Sequence, residues 1–158
     1  MGDKHLTAAV IGGGIHGVTA SIALARNGVD VTLIEKNERL FQGTSGATQN
    51  RAHLGYHYPR SVATASECFE GLTVFRQRYP GALAYPKEAY YLIDKESSRV
   101  SVEQYRAFCD QMRIPYETAF PAERFLNRQA VAGSFRVPEP VFNLADLGGQ
   151  QVGGGGDR

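Results

Sequence analysis

Cysteine is scarce in this chain, and neither sign of charge is in excess. The 158 residues include two cysteines and no Cys-x-x-Cys motif, which argues against a disulfide framework or a cysteine-ligated zinc site and favours a reducing compartment. Lys and Arg total 17 and Asp and Glu total 16, a formal net charge of +1. A nucleic-acid partner would require a strong basic excess, so none is expected. The four histidines show no His-x-x-x-His spacing, so we expect no metal site.

Long hydrophobic runs are missing as well. The most apolar stretch, residues 6–25, is interrupted by four glycines and a histidine between residues 12 and 17. It therefore falls short of the ~18 consecutive apolar residues of a membrane helix, and we expect a cytoplasmic protein with no transmembrane segment. With 42% hydrophobic and 21% charged residues, the composition is also not that of a disordered chain.

Glycine is the residue in excess, with 18 copies. The last eleven residues, 148–158, read GGQQVGGGGDR and contain one apolar side chain. Such a segment buries too little surface to offset the entropy lost on ordering, so we predict a disordered tail there. The other glycine cluster, at residues 12–17, stands between two regular elements and is therefore of a different kind.

The first 34 residues predict a strand, a helix and a second strand. Residues 7–11 (TAAVI) form a short apolar run, typical of a strand buried on both faces of a parallel sheet. Residues 15–26 lack proline, and Asn27-Gly28 provides a helix stop because both residues tolerate the left-handed conformation. Residues 29–34 (VDVTLI) are a second, β-branched strand. This βαβ unit predicts an α/β, Rossmann-like fold.

The remainder of the chain predicts a mixed α+β arrangement. Residues 37–60 have weak periodicity and indicate a functional loop with at most a turn or two of helix. Helices are predicted at 61–79 and 101–112, strands at 89–93, 115–119 and 131–137, and the start of a further helix at 143–147. Cys68 and Cys109 fall on the apolar stripes of the two helices and are expected to be buried and inert. Tyr90 and Tyr91 are interpreted as packing residues.

The glycine cluster is a G-x-G-x-x-G motif between the first strand and the first helix. Gly12 permits the tight turn, Gly14 lets the backbone approach a pyrophosphate, and Gly17 lets the helix pack closely on the strands. The helix N-terminus offers N–H groups and partial positive charge to phosphates. Glu35, at the end of the second strand, is suited to bind an adenosine ribose and disfavours a 2′-phosphate. The predicted ligand is FAD or NAD rather than NADP; the alternative is a glycine-rich turn without a ligand.

The choice between FAD and NAD rests on a resemblance carried by residues 43–60, which read GTSGATQNRAHLGYHYPR. Together with IGGGIHG at residues 11–17, this segment resembles the FAD-dependent oxidoreductases of the D-amino-acid-oxidase superfamily. The resemblance implies FAD as cofactor, a ribose contact from Glu35, phosphate or ribityl contacts from Thr44 and Ser45, and three residues near the isoalloxazine. The candidate cofactor-binding set is Gly12, Gly13, Gly14, Ile15, Gly17, Glu35, Lys36, Thr44, Ser45, Asn50, Arg51 and His53, the last three being those near the isoalloxazine.

The resemblance also implies a domain organisation. Residues 1–60 are expected to be the N-terminal part of an FAD-binding domain, residues 61–147 the start of a substrate domain, and residues 148–158 the glycine-rich tail. Members of the family are longer chains whose later segments complete the sheet and the flavin pocket. We therefore interpret this sequence as an N-terminal fragment, truncated relative to the family.

Three functions are open at this point. The first is an FAD-dependent oxidoreductase that transfers a hydride from a small-molecule amine, amino acid or hydroxy acid or polyol to the flavin, although no catalytic base is identifiable. The second is an inactive FAD- or ADP-binding fragment, and the third is an NAD-dependent dehydrogenase. His53 fits a flavin contact and a structural loop histidine equally well. Arg51 and Arg60 are candidates for pairing with a substrate carboxylate, since Arg suits planar bidentate pairing.

Overall fold

The computed structural model describes residues 5–143 of the chain. The strands within these residues are β1 (Thr7–Ile11), β2 (Asp30–Ile34), β3 (Leu83–Ala84), β4 (Tyr90–Asp94), β5 (Glu117–Thr118), β6 (Val131–Arg136) and β7 (Val141–Phe142). The α-helices of the same part of the chain are α1 (Ile15–Arg26), α2 (Thr44–Ala47), α3 (Val62–Arg78) and α4 (Val102–Met112). Two short 3₁₀ helices span Glu123–Phe125 and Arg128–Ala130. The predicted helix start at 143–147, beyond its first residue, and the predicted tail at 148–158 lie outside the described residues.

The described residues form two compact units, one running through Asn50 and the other spanning Arg51–Phe142. The first unit is the predicted βαβ arrangement. Strands β1 and β2 pair in parallel from Thr7 opposite Asp30 to Ile11 opposite Ile34, and α1 connects them. The mixed α/β fold class with parallel strands is therefore confirmed. The single turn of helix α2 in the long loop after β2 is also as predicted.

Two details of this unit differ from expectation. Strand β1 was expected to be buried on both faces, yet its residues alternate between exposed and half-buried, and Ile11 is 85% exposed. The reason is that, among the described residues, β1 has β2 as its sole sheet neighbour. At the end of α1, the left-handed conformation falls on Gly28 (φ 78°) alone, because Asn27 has φ −98°.

The second unit contains an antiparallel sheet of order β4-β6-β5 and a short antiparallel pair of β3 with β7. Helix α4 contributes three buried side chains to its core. The core cluster lies wholly within this unit and comprises Tyr56, Ala65, Ile93, Tyr105, Phe108, Cys109, Ile114, Phe135 and Val137. Ring stacking of Tyr105 on Phe135, with centroids 4.9 Å apart, joins α4 to the central strand β6.

The boundary between the compact units follows Asn50, whereas the predicted FAD-binding domain extends to residue 60. A compact unit is defined by its packing and a functional domain by its ligand. The predicted division into an FAD-binding part and a substrate part therefore stays a prediction.

Candidate functional site

The turn after β1 has the close packing that the glycine motif predicts. Gly12 has φ 106°, a conformation that side-chain-bearing residues rarely adopt, and its N–H donates to the carbonyl of Ile34 at 2.7 Å. A Cβ on Gly17 would lie 1.9 Å from the carbonyl oxygen of Gly12. The turn and the first turn of α1 are therefore in direct backbone contact, and no side chain fits between them.

The N-cap residue of α1 is Gly14, which has no side chain to accept a hydrogen bond from the first N–H groups of the helix. The N–H of Ile15 instead donates to Ser45 Oγ at 3.1 Å, and Ser45 lies in the first turn of α2. Thr44 is the first residue of α2 and is exposed. Because a helix N-terminus carries partial positive charge and N–H donors, this end of α1 is suited to an anion.

Glu35 lies at the end of β2 and contacts the glycine turn directly. Its Oε2 accepts the N–H of Gly13 at 2.5 Å, and its Oε1 accepts both the N–H and the side-chain amide of Asn37 at 2.9 Å. These donors, the Asn37 N–H first and the Gly13 N–H next, lower the pKa of Glu35 below its ordinary value. The carboxylate is therefore charged at neutral pH. Lys36 beside it is exposed.

Asn37 is a functional candidate that the sequence analysis missed. An Asn two residues after a strand end is a common turn residue, since its side chain bonds to nearby backbone. Here both of its nitrogens bond to the carboxylate of Glu35. The position of this Asn two residues after Glu35 is the sequence signal that could have identified it.

Asn50 ends the first unit in a left-handed conformation, with φ 53°. Its N–H donates to Thr48 Oγ1 at 3.3 Å, and Thr48 Oγ1 also lies 3.2 Å from Asn50 Oδ1. The first unit thus brings together the glycine turn, Glu35 and Ser45, while Asn50 bonds within its own short turn. Arg51 and His53 belong to the second unit.

Arg51 and His53 surround a carboxylate that the sequence analysis did not select. Glu139 has a side chain 1% exposed, and its Oε2 lies 2.5 Å from Arg51 Nη2 and accepts the hydroxyl of Tyr91 at 2.8 Å. Its Oε1 accepts the N–H of Leu54 at 3.2 Å. Tyr91 was interpreted as a packing residue; it is in addition a hydrogen-bond donor, and the Arg51 guanidinium stacks over its ring at 4.6 Å.

His53 is held in its neutral form by its surroundings. Burial lowers the pKa of His53 below the ordinary value of 6.5, and Glu139 opposes this effect, whereas the electrostatic influence of His57 and of Arg51 acts in the same direction as burial. The buried Nδ1 has no hydrogen-bond partner among the described residues, since Glu139 Oε1 is 3.7 Å away. His53 also faces the rings of His57 and Tyr58, with centroids 5.6 and 6.0 Å away.

The two cysteines are not activated. Cys109 is fully buried as expected, and burial raises its pKa to about 12. Cys68 is half-buried rather than buried, and desolvation raises its pKa as well. A raised pKa disfavours the thiolate, which is the reactive form.

Within residues 5–143, no group of three or more His, Cys, Asp or Glu side chains is arranged to hold a metal ion. In the same part of the chain, no helix is long and apolar enough to cross a membrane.

The residues of the first unit fit the adenosine and pyrophosphate parts of a dinucleotide. The turn leaves no room for a side chain at Gly17, the N-terminus of α1 has no acidic residue in its first turn, and a charged carboxylate lies beside the turn. Each of these features is what an anionic pyrophosphate followed by a ribose diol requires.

Comparison with known proteins supports FAD, the cofactor that the family resemblance implied. Residues 7–147 match the family described as DAO, FAD-dependent oxidoreductase. The FAD-dependent monooxygenase kojA of Aspergillus flavus is 36% identical over 147 residues, and the FAD-dependent monooxygenase FPY4 of Fusarium mangiferae is 29% identical over 135 residues. These matches cover 90% and 85% of this chain but 34% and 36% of the relatives. The chain thus spans about a third of the length of these curated relatives.

Solved structures show the same fold. The crystal structure of L-proline dehydrogenase from P. horikoshii matches with a TM-score of 0.52 at 20% identity, covering 96% of this chain and 41% of that one. With a family match over residues 7–147, the resemblance inferred from the glycine motif and from residues 43–60 is confirmed, and FAD rather than NAD is the cofactor of the family. This chain belongs to the DAO family of FAD-dependent oxidoreductases.

Proposed function

We propose that this chain supplies the part of an FAD-dependent oxidoreductase that binds the ADP portion of the cofactor. The observation that carries the proposal is the contact between Glu35 Oε2 and the N–H of Gly13. A charged carboxylate, which is the proposed ribose-binding acid, therefore lies directly beside the turn that would bind the pyrophosphate. A dinucleotide presents these two groups next to each other, so one ligand can contact both.

Further roles are proposed for the remaining candidate residues from the places where they lie. The turn Gly12–Gly14 and the N-terminus of α1, which begins at Ile15, would face the pyrophosphate. Ser45, which already bonds to Ile15, would be next to the phosphates, with Thr44 beside it. The Lys36 side chain is exposed and adds positive charge near the ribose end.

Asn50, Arg51 and His53 are proposed to lie along the isoalloxazine, as the family resemblance implies. FAD, when bound, supplies the redox chemistry by accepting a hydride. The chain's own residues bind and orient it. The proposed substrate of the whole protein is a small-molecule amine, amino acid, hydroxy acid or polyol.

A second reaction class is favoured by the relatives. Both fungal relatives are called FAD-dependent monooxygenases, and kojA is 36% identical to this chain. The whole protein would then insert one atom of O₂ into its substrate and release the other as water, with two electrons supplied by a reductant such as a reduced nicotinamide nucleotide. Labelled O₂ separates the two classes, because the label enters the product in monooxygenation and does not in simple hydride transfer.

The test of the binding proposal is a thermal denaturation series on the purified chain with FAD, ADP and NAD, together with the visible spectrum. A ligand that binds the folded state raises the melting temperature by mass action. We expect FAD and ADP to raise it, and Glu35→Ala to remove the effect while Glu38→Ala, a change at an exposed neighbour, leaves it intact.

Each other result has a defined meaning. A shift with NAD and none with FAD supports the nicotinamide-dependent alternative. A shift with FAD and no turnover of amines, amino acids or hydroxy acids supports an inactive binding fragment. No shift with FAD or ADP contradicts the proposal.

A further inference from the structure

The carboxylate of Glu139 is buried and makes several polar contacts, none of which its neighbours in the sequence would predict. It lies between two prolines, Pro138 and Pro140, and is 2% exposed as a residue. Glu is almost never buried unless it is paired. Here it is paired with a guanidinium and also accepts a tyrosine hydroxyl and a backbone N–H.

All of these partners belong to two short segments. Arg51 and Leu54 come from the segment immediately after Asn50, and Tyr91 comes from β4. The backbone runs alongside as well, since the N–H of Ala52 donates to the carbonyl of Pro140 at 3.0 Å and Arg51 forms a bridge with Val141. The segment 51–54 is thus held on both its backbone and its side chains.

We propose that Glu139 is a positioning residue that clamps the segment 51–54 and cancels the charge of Arg51 beside His53. The inference rests on the proposed function only in placing this segment near the flavin; the clamp itself is a property of the second unit. It also implies that Arg51 is already engaged by a carboxylate of this chain, so the substrate carboxylate that was considered as its partner would have to compete with Glu139.

The clamp has a chemical consequence for the flavin end of the site. With Arg51 and Glu139 paired and His53 neutral, residues 51–54 present little net charge. A charge placed beside a flavin ring tunes its electronics. Glu139 would therefore set the local charge at the flavin end of the site through its pairing with Arg51.

The chain offers a matched control in the pair Arg136–Glu117. It is also an Arg–Glu pair of the second unit, but its side chains are 44% and 60% exposed, against 25% and 1% for Arg51 and Glu139. Exposed pairs contribute little to stability, whereas breaking a buried pair leaves a poorly solvated charge. Comparing the substitution of Glu139 with that of Glu117 therefore shows how much of the destabilisation comes from burial and how much from loss of a carboxylate alone.

The first measurement is the melting temperature of Glu139→Gln, of Glu117→Gln and of the double variant Arg51→Met/Glu139→Gln, without FAD. We expect Glu139→Gln to lower Tm by about 5 °C or more and Glu117→Gln by no more than about 3 °C. The double variant is expected to recover most of the loss, because no unpaired charge remains. A double variant that is no more stable than Glu139→Gln overturns the proposed cancellation of the Arg51 charge by Glu139, including where Glu139→Gln fails to fold.

The second measurement is the pKa of His53, determined by NMR titration. A purely structural role of Glu139 and the proposed role predict changes of this pKa in opposite directions. Removing the Glu139 charge leaves Arg51 and His57 to lower the pKa of His53 further, so it is expected to fall in Glu139→Gln. Loosening of the segment would instead expose His53 and raise its pKa towards 6.5. A rise, or no change, overturns the proposal.

Where Glu139→Gln alone does not fold, the double variant is titrated, and the same fall is expected because Glu139 acts on His53 more strongly than Arg51 does. Neither measurement contains FAD. A fall in the pKa together with no FAD-dependent melting shift in the wild type would leave the clamp standing and contradict the proposed function alone.

Discussion

Gly17 is the third residue of α1, and its α-carbon faces the carbonyl oxygen of Gly12. A Cβ there would lie 1.9 Å from that oxygen, so Gly17→Ala must push the glycine turn away from the helix. We expect loss of stability and loss of FAD binding. Gly71→Ala, in the interior of α3, is the control because its Cβ meets no atom within 4 Å.

The control variant Gly71→Ala is expected to raise the stability of the chain. Ala loses less backbone entropy than Gly in a helix, so Gly71→Ala should stabilise the chain by roughly 0.5–1 kcal/mol. Urea denaturation measures the free energy of unfolding of both variants, and titration with FAD measures their affinity for the cofactor. Equal effects at the two positions would contradict the close approach at Gly17.

Glu35 makes a prediction about acid stability. Its pKa is lowered in the folded chain, chiefly by the N–H groups of Asn37 and Gly13. A depressed pKa contributes stability that is present above the unfolded pKa of about 4.3 and is lost as pH falls through the folded value. Melting curves from pH 7 downwards should therefore fall less steeply below about pH 4.3 in Glu35→Gln than in the wild type. Parallel curves would show that the carboxylate is not held as described.

At the residue scale, local spacing was informative and distant pairing was not. The glycines at 12, 14 and 17 and the acid at the end of β2 are all within one βαβ unit, so their meeting follows from that unit's geometry. Glu139 meets Leu54 from 85 residues away. No local pattern encodes such a contact, which explains why a Glu between two prolines gave no sequence signal.

At the scale of elements, the strength of the hydrophobic pattern decided what was predictable. Strand β1 and helix α1 have the predicted bounds, Thr7–Ile11 and Ile15–Arg26. The two-residue strands β3 and β7 were missed. So short a strand shows little alternation of its own, and its pairing is set by the chain it meets; β5, which is also two residues long, was predicted only as part of the longer stretch 115–119.

The two helices of the second unit differ in how they begin. Ser101 caps α4 in a capping box, accepting the N–H of Gln104 at 3.2 Å while the Gln104 side chain accepts the N–H of Ser101 at 2.8 Å. Ser61 caps α3 with one longer backbone bond, from the Thr64 N–H at 3.4 Å. We expect Ser101→Ala to cost about 1 kcal/mol and Ser61→Ala distinctly less.

Chemical denaturation of the two serine variants measures this difference. Both serines are exposed, so neither change creates a cavity. A Ser61→Ala loss as large as that of Ser101→Ala would mean that the reciprocal bond of the capping box adds nothing.

At the scale of the whole molecule, burial is unevenly shared between the two units. The core cluster falls entirely within Arg51–Phe142, whereas the buried apolar side chains described in the first unit are Val18 and Phe41. Exposed apolar residues in the first unit include Ile11 and Ile34, at 85% and 49% exposure. The second unit therefore contains most of the hydrophobic stabilisation.

Native-state hydrogen exchange should report this difference. Protection follows the free energy of local opening, which is lowest where few apolar contacts are buried. The amides of β4 and β6 are expected to exchange more slowly than those of β1 and β2 in the absence of FAD. Equal protection in the two sheets would contradict the assignment of the main core to the second unit. Added FAD is expected to slow exchange in β1 and β2 more than in β4 and β6.

The sequence by itself determined the βαβ unit, the glycine turn, the position of Glu35 and the family, because each depends on residues close together in the chain. Only the tertiary structure decided that β1 is half-exposed and that Glu139 gathers Arg51 and Tyr91. Hydrophobic periodicity and turn chemistry act over a few residues, so they specify elements. Burial and ion pairing depend on which elements meet, and packing alone determines that.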